Sequence, residues 1–249
     1  MTDNIHKVMI TEKDEEAAYY AARQIPYIVW LNERNREQRF PSGSYCVENL
    51  SDIDARYLDR VYRRFYDIPW DISETRRLKI REIAVDDVPQ LYELYSDASV
   101  TRFMEPLFAD PEQEILYTRE YIKNVYGFYG YGMWVLESRD SGQIIGRAGL
   151  EYKEGFEGLE LGFMLGVPYQ HKGYAYEACS AILAYGIKEL GQRAYCSFVN
   201  EDNAASIRLC ERLGFAPRDR TKLSGINADG TMVEKEYIQY VYHADDKKP

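Results

Sequence analysis

The chain has 249 residues, enough for one large domain or for a medium domain with a small companion. Its formal net charge of −10 argues against nonspecific nucleic-acid binding and suits a cationic or neutral partner. With 45% hydrophobic and 29% charged residues, and no apolar stretch near the ~20 residues that span a bilayer, it reads as a soluble cytoplasmic protein with no membrane partner. The opening residues Met1, Thr2, Asp3 and Asn4 carry no basic region and no apolar core, so no secretory signal is expected.

Lys7, Val8, Met9, Ile10 and Thr11 read as a first strand. Residues 12–22 open acidic and carry Ala17, Ala18, Tyr19, Tyr20, Ala21 and Ala22, a pattern that suits a helix. Residues 26–30 and 45–47 read as further strands, separated by a charged stretch and a turn at Pro41, Ser42 and Gly43. Asp54 and its neighbours cap a second helix with Ile53, Tyr57, Leu58, Val61, Tyr62 and Phe65 on one face. Strands alternating with helices predict a small Rossmann-like module of three strands over residues 1–75, read as a packing or dimerisation element. It faintly resembles part of the sheet in haloacid-dehalogenase-like domains, but Thr11, Glu12, Lys13 and Asp14 do not supply the paired aspartates of that chemistry. Residues 68–71 and 75–77 read as a connector into a main domain over 76–249.

In the main domain, residues 78–83 alternate as a strand, and Asp86, Asp87, Val88 and Pro89 open a helix. Asp110 and Pro111 open another, reaching to about Tyr126. Residues 131–137 and 143–150 form a hairpin around Asp140, Ser141 and Gly142. Gly127, Gly130 and Gly132 precede a strand instead of following one, so they read as a flexible connector and not as a nucleotide loop. Residues 160–167 suit a buried strand. After them come a polar turn, a long helix to Leu190, a strand over 194–199 and a helix ending at Leu213, Gly214 and Phe215. Two last strands flank a turn at Asn227, Ala228, Asp229 and Gly230. The cysteines Cys46, Cys179, Cys196 and Cys210 lack metal-ligand spacing, and no histidine sits within helical reach of another His or a Cys, so reduced thiols and no metal are expected.

The stretch 160–215 carries chemistry. Its order is strand, glycine turn, helix, strand, capped helix, and a helix start offers N–H groups and a positive dipole end to a phosphate. Gln170, Gly173 and Ala175 form the Gln-x-x-Gly-x-Ala signature of the GNAT acetyl-CoA-dependent N-acetyltransferases, which the chain resembles. Glu160, Gly162 and Phe163 before it, Glu177 and Ala178 just after, and Asn203, Ser206, Gly214 and Phe215 beyond resemble the branch that includes the RimJ/RimL-type ribosomal-protein acetyltransferases. The likeness covers roughly residues 78–242. It implies a mixed α/β fold whose central, mainly antiparallel sheet is splayed at the cofactor strand.

The resemblance further implies acetyl-CoA as co-substrate. Gln170, His171, Lys172, Gly173, Tyr174, Ala175 and Tyr176 would hold its pyrophosphate, Phe163, Met164 and Leu165 its arm, and Asn203 would bond that arm or simply cap its helix. The Leu165 N–H would polarise the thioester carbonyl. Glu160 is either the general base or a structural carboxylate. The acid position, a tyrosine in many members, is Cys210 here, with Ser206 and water as alternatives, and a Glu position of some relatives is Phe198. Implied acceptors are a small cationic amine, an amino acid derivative or a peptide N-terminus, with a homodimer permitted. Those departures equally suit a CoA-binding sensor that has lost catalysis.

Overall fold

The computed structural model describes residues 7–226 and 231–246. The turn expected at Asn227, Ala228, Asp229 and Gly230, and the opening residues 1–4, lie outside them. The chain divides into two compact units, Met1–Trp70 and Asp71–Pro249.

In the first unit, β1 (Met9–Thr11), β2 (Tyr27–Trp30) and β3 (Tyr45–Val47) form a parallel sheet in that order. The alternation of β2 explains its two helices. Tyr27 and Val29 pack with Ala17 of α1 (Asp14–Ala22), while Ile28 packs with Val47 and with Val61 of α2 (Ala55–Phe65). Asp54 caps α2 by accepting from the Tyr57 N–H at 2.7 Å. Each fully buried Val or Ile here contributes about 1.5–3 kcal/mol.

The second unit is built on an eight-stranded sheet in the order β10-β11-β9-β8-β7-β6-β5-β4. Its strands are β4 (Asp71–Glu74), β5 (Leu78–Arg81), β6 (Met133–Ser138), β7 (Ile144–Tyr152), β8 (Leu159–Leu165), β9 (Ala194–Val199), β10 (Ala216–Ile226) and β11 (Met232–His243). Every neighbouring pair is antiparallel except β8–β9. Asp71, read from sequence as connector, and residues 72–74, given no element there, form an edge strand because Ile72 is buried and the backbone pairs with Lys79, Ile80 and Arg81.

One face carries α7 (Tyr174–Glu189), with Trp134 edge-on to Tyr185 and Leu150 against Gly186. The residues of β7 that alternate with Leu150, namely Arg147 and Glu151, meet Tyr95 of α3 (Val88–Tyr95) and Tyr121 of α5 (Pro111–Tyr121). The short α4 (Ala98–Thr101) links those helices. Beyond α5 the chain continues through a π-helical turn, Ile122–Tyr126, into α6 (Gly127–Tyr129). So Gly127 is helical, and Gly132 is clamped instead of loose. A side chain at Gly132 would meet the Tyr121 hydroxyl at 2.7 Å and the Tyr126 ring at 2.9 Å. The last helix, α8 (Ala204–Leu213), packs with α7.

Candidate active site

β8 pairs with β7 along its whole length, from Leu159↔Tyr152 to Leu165↔Gly146. Against β9 it pairs only at Leu159↔Tyr195 and Glu160↔Cys196. Beyond Glu160 the two parallel strands part, leaving the β9-facing backbone edge of residues 161–165 outside the ladder. An edge of that kind can accept an extended polar chain as if it were another strand. Phe163, Met164 and Leu165 lie on it, Met164 and Leu165 with buried side chains and Phe163 half-buried. Gln170 is turned back onto this strand, its Nε2 donating to the Leu165 carbonyl at 3.0 Å.

The turn that follows brings two left-handed residues together, His171 at φ +59° and Gly173 at +82°. Gly173 is the N-cap of α7 and no side chain caps that helix, so its first N–H groups face outward from a positive dipole end. His171, Lys172 and Gly173 are exposed, while Tyr174, Ala175 and Tyr176 are half-buried.

A clasp absent from the sequence reading secures this turn. Glu177 accepts from the Thr75 hydroxyl at 2.6 Å, the Arg77 N–H at 2.9 Å and Arg77 Nε at 2.6 Å. Arg77 Nη1 also donates to the Lys172 carbonyl at 3.0 Å, and its guanidinium stacks on the Tyr174 ring, 4.1 Å from the centroid. Burial pushes the Glu177 carboxyl up, but those three donors outweigh it and hold the group below its ordinary value. In the sequence Glu177 figured only as part of the branch motif, with nothing to link it to Thr75 and Arg77 a hundred positions earlier.

Glu160 faces Glu151 across the β7–β8 ladder. Lys153 Nζ lies 3.4 Å from Glu160 Oε2, and Tyr121 donates to Glu151 Oε1 at 2.9 Å. Burial pushes the Glu160 carboxyl above its ordinary value; Lys153 opposes the shift and Glu151 adds to it. A cavity of about 260 Å³ opens beside the pair, lined also by Lys153, Tyr129, Tyr131 and Tyr152. Two phenols, from the end of α5 and from the π-helical turn, hold the Met133 backbone: its N–H donates to Tyr121 at 2.7 Å, and its carbonyl accepts from Tyr126. Glu151, Lys153 and Tyr121 were missed because long-range pairing and packing, not local pattern, gather them around Glu160.

On α8, Asn203 is the N-cap, its Oδ1 accepting from the Ser206 N–H at 3.1 Å. Its oxygen is thereby used locally, and Nδ2 is the remaining donor. Ser206 is half-buried. Cys210 is wholly buried on the inward face, and burial pushes its thiol up to about 11. Phe198 packs edge-on to Phe156 with centroids 4.6 Å apart, and Lys153 sits over its ring at 5.6 Å. Among the described residues no group of three or more His, Cys, Asp or Glu is placed to hold a metal ion, and no helix is long and apolar enough to cross a membrane.

A splayed mixed sheet with a glycine turn and an uncapped helix start is the architecture of an acyl-CoA N-acyltransferase. The GNAT acetyltransferase domain model matches residues 77–216, and the chain belongs to that family. It is 30% identical over 141 residues to the uncharacterized N-acetyltransferase YnaD of Bacillus subtilis (strain 168), across 56% of this chain and 79% of YnaD. Its fold is similar to that of RimL, the ribosomal L7/L12 α-N-protein acetyltransferase solved with coenzyme A, at TM-score 0.56 and 17% identity over 72% of this chain and 100% of that one. It is also similar to the ribosomal-protein-S5-alanine acetyltransferase of Vibrio fischeri, at TM-score 0.55 and 19% identity over 74% and 100% of the two chains.

Proposed function

We propose that this protein transfers an acetyl group from acetyl-CoA to a primary amine, in the cytoplasm, by direct attack within a ternary complex. The observation that carries the reading is the parting of β8 from β9 immediately after Glu160, beside the uncapped start of α7. The residues present fit the co-substrate. Its pyrophosphate is assigned to the N–H groups from His171 to Tyr176, where left-handed Gly173 keeps the backbone approachable. Its arm is assigned to the open edge of Phe163, Met164 and Leu165, and to Asn203 Nδ2. Bound acetyl-CoA supplies the thioester.

Glu160 is assigned as the base. It is buried, its proton is held more tightly than usual, and it lines a cavity of about 260 Å³ with room for a small amine or a chain terminus. The acceptor loses its proton to Glu160, directly or through water, and its nitrogen attacks the thioester carbonyl. The C–N bond forms, the C–S bond breaks, and the surplus proton on the new amide nitrogen passes through water or the Ser206 hydroxyl to the departing thiolate. Cys210 is too deeply buried for that role. The Leu165 N–H is assigned as the donor to the carbonyl oxygen, a contribution of a few kcal/mol in comparable sites.

The test is thermal unfolding with acetyl-CoA, CoA and NAD, followed by thiol release against a panel of amines. Stabilisation by the two CoA species and not by NAD, with release on addition of one amine class, is expected. No stabilisation by acetyl-CoA would overturn the reading. Binding without release from any amine would favour the CoA-sensor alternative.

A further inference from the structure

We propose that Arg147 recognises a carboxylate on the acceptor, so that the preferred substrate is an amine bearing an acid group. The inference rests on the transferase reading above and extends it to the acceptor. Arg147 lies on β7 opposite Met164 of β8, on the face that also carries Glu151 and Glu160. Its Nε is sealed from solvent without a hydrogen-bond partner. Its Nη1 reaches only the Tyr95 hydroxyl, at a long 3.5 Å, and no carboxylate among the described residues pairs with it.

The same unit shows how it treats a buried guanidinium of purely structural use. Arg81, on β5, bonds Asp87 through two nitrogens at 2.7 and 3.0 Å and Glu137 through a third at 2.7 Å. A desolvated positive charge lacking such partners is costly, and a planar donor fork matches a carboxylate in geometry as well as charge. As a whole residue Arg147 is half-buried, although its Nε is sealed. Arg147 and Glu151 alternate on β7 on the same face of the sheet, with Met164 and Glu160 directly across the ladder from them.

Carboxylate on Arg147 and amine toward Glu160 is the arrangement that satisfies both. Met164 stands four residues beyond Glu160 on β8, about 13 Å of strand at ~3.3 Å per residue. That separation does not fix the spacing between amine and acid, so both α- and ω-amino acids belong in the panel.

The experiment uses the full chain with saturating acetyl-CoA and matched pairs: L-alanine, β-alanine and 4-aminobutyrate against their carboxamides. At least one acid should exceed its carboxamide about 100-fold in kcat/KM, the ~3 kcal/mol a charge-assisted pair can contribute. Arg147→Gln should bring that ratio near one by raising the KM for the acid, moving the acetyl-CoA KM less than about threefold, and Arg147→Lys should restore part of the ratio. Equal use of acids and carboxamides overturns the inference while leaving the transferase reading in place. So does an equal loss for both in Arg147→Gln and Arg147→Lys, which would mark a packing role. If nothing releases CoA, calorimetry of the three acids with CoA-loaded protein decides: binding lost in Arg147→Gln upholds the carboxylate site and sinks the transferase reading, and no binding overturns the inference.

Discussion

Glu160 stands directly opposite Glu151 across the antiparallel β7–β8 ladder, so two carboxylates share one face of the sheet. Like charges in that register repel, and the fold tolerates them through the Lys153 ammonium on one and the Tyr121 hydroxyl on the other. Such an arrangement sacrifices stability for a carboxylate that holds a proton more tightly than usual.

Burial, and then Glu151, hold the Glu160 proton more tightly in the folded chain than in the unfolded one, despite Lys153. Between the two pKa values the folded state binds more protons, so stability falls as pH rises. Glu160→Gln removes that penalty. Its melting temperature should approach the wild type's below about pH 3.5, where the Glu160 carboxyl is largely protonated in folded and unfolded chains alike, and exceed it at about pH 8. The same change should lower kcat about 10²–10⁴-fold with the acetyl-CoA KM unchanged. Thermal scans across pH and a thiol-release assay check the two halves separately; an active variant sinks the base assignment.

Arg77 and Glu177 should behave as one unit. In a double-mutant cycle of Arg77→Ala and Glu177→Gln, acetyl-CoA binding should show a coupling of about 0.5–3 kcal/mol. Because donors hold the Glu177 carboxyl below its ordinary value, its contribution is present above the unfolded pKa and lost as pH falls through the folded one. The stability advantage of the wild type over Glu177→Gln in thermal scans should therefore shrink as pH falls. Additive single effects would sink this account of the clasp.

Gly173→Ala tests the left-handed turn. At φ +82° a Cβ costs about 1 kcal/mol, or roughly 2–4 °C in melting temperature for a unit of this size. Gly173→Glu adds a negative charge at the helix start and should abolish stabilisation by acetyl-CoA as well. Differential scanning with and without the co-substrate separates the two; a normal acetyl-CoA shift in the Glu variant contradicts the pyrophosphate assignment.

Cys210→Ala should keep kcat within about threefold and lower stability by roughly 1–2 kcal/mol, the effect of deleting a buried sulfur. Thiol release and denaturant unfolding measure these. A hundredfold loss of kcat would return Cys210 to the acid role.

Where local pattern decides structure, the sequence was informative. The Gln170–Gly173–Ala175 turn, the Asn203 cap and the strand opening at Glu160 each announce themselves within a few residues, through backbone sterics and helix-end chemistry. Asp71–Glu74 did not, because an edge strand of four residues between Pro69 and Arg76 carries too little alternation, and only burial of Ile72 against the sheet makes it one. Gly132 misled for a related reason. A glycine needed for close approach of two tyrosines looks, in sequence, like one needed for freedom. Lys153, Glu151 and Arg147 stayed hidden because their meaning depends on which residues lie across the ladder.

The Thr75–Arg77–Glu177 clasp ties the turn before α7 to the very start of the second unit. The family's matched stretch begins at residue 77, inside the clasp. A shortened chain trimmed at Leu78 would keep every signature residue and still lose the hydroxyl and guanidinium that pin Glu177, together with edge strand β4. Anyone isolating the acetyltransferase unit, or grafting it behind another partner, should keep the chain from Asp71 onward, since its glycine turn is anchored by residues that precede its first recognisable motif.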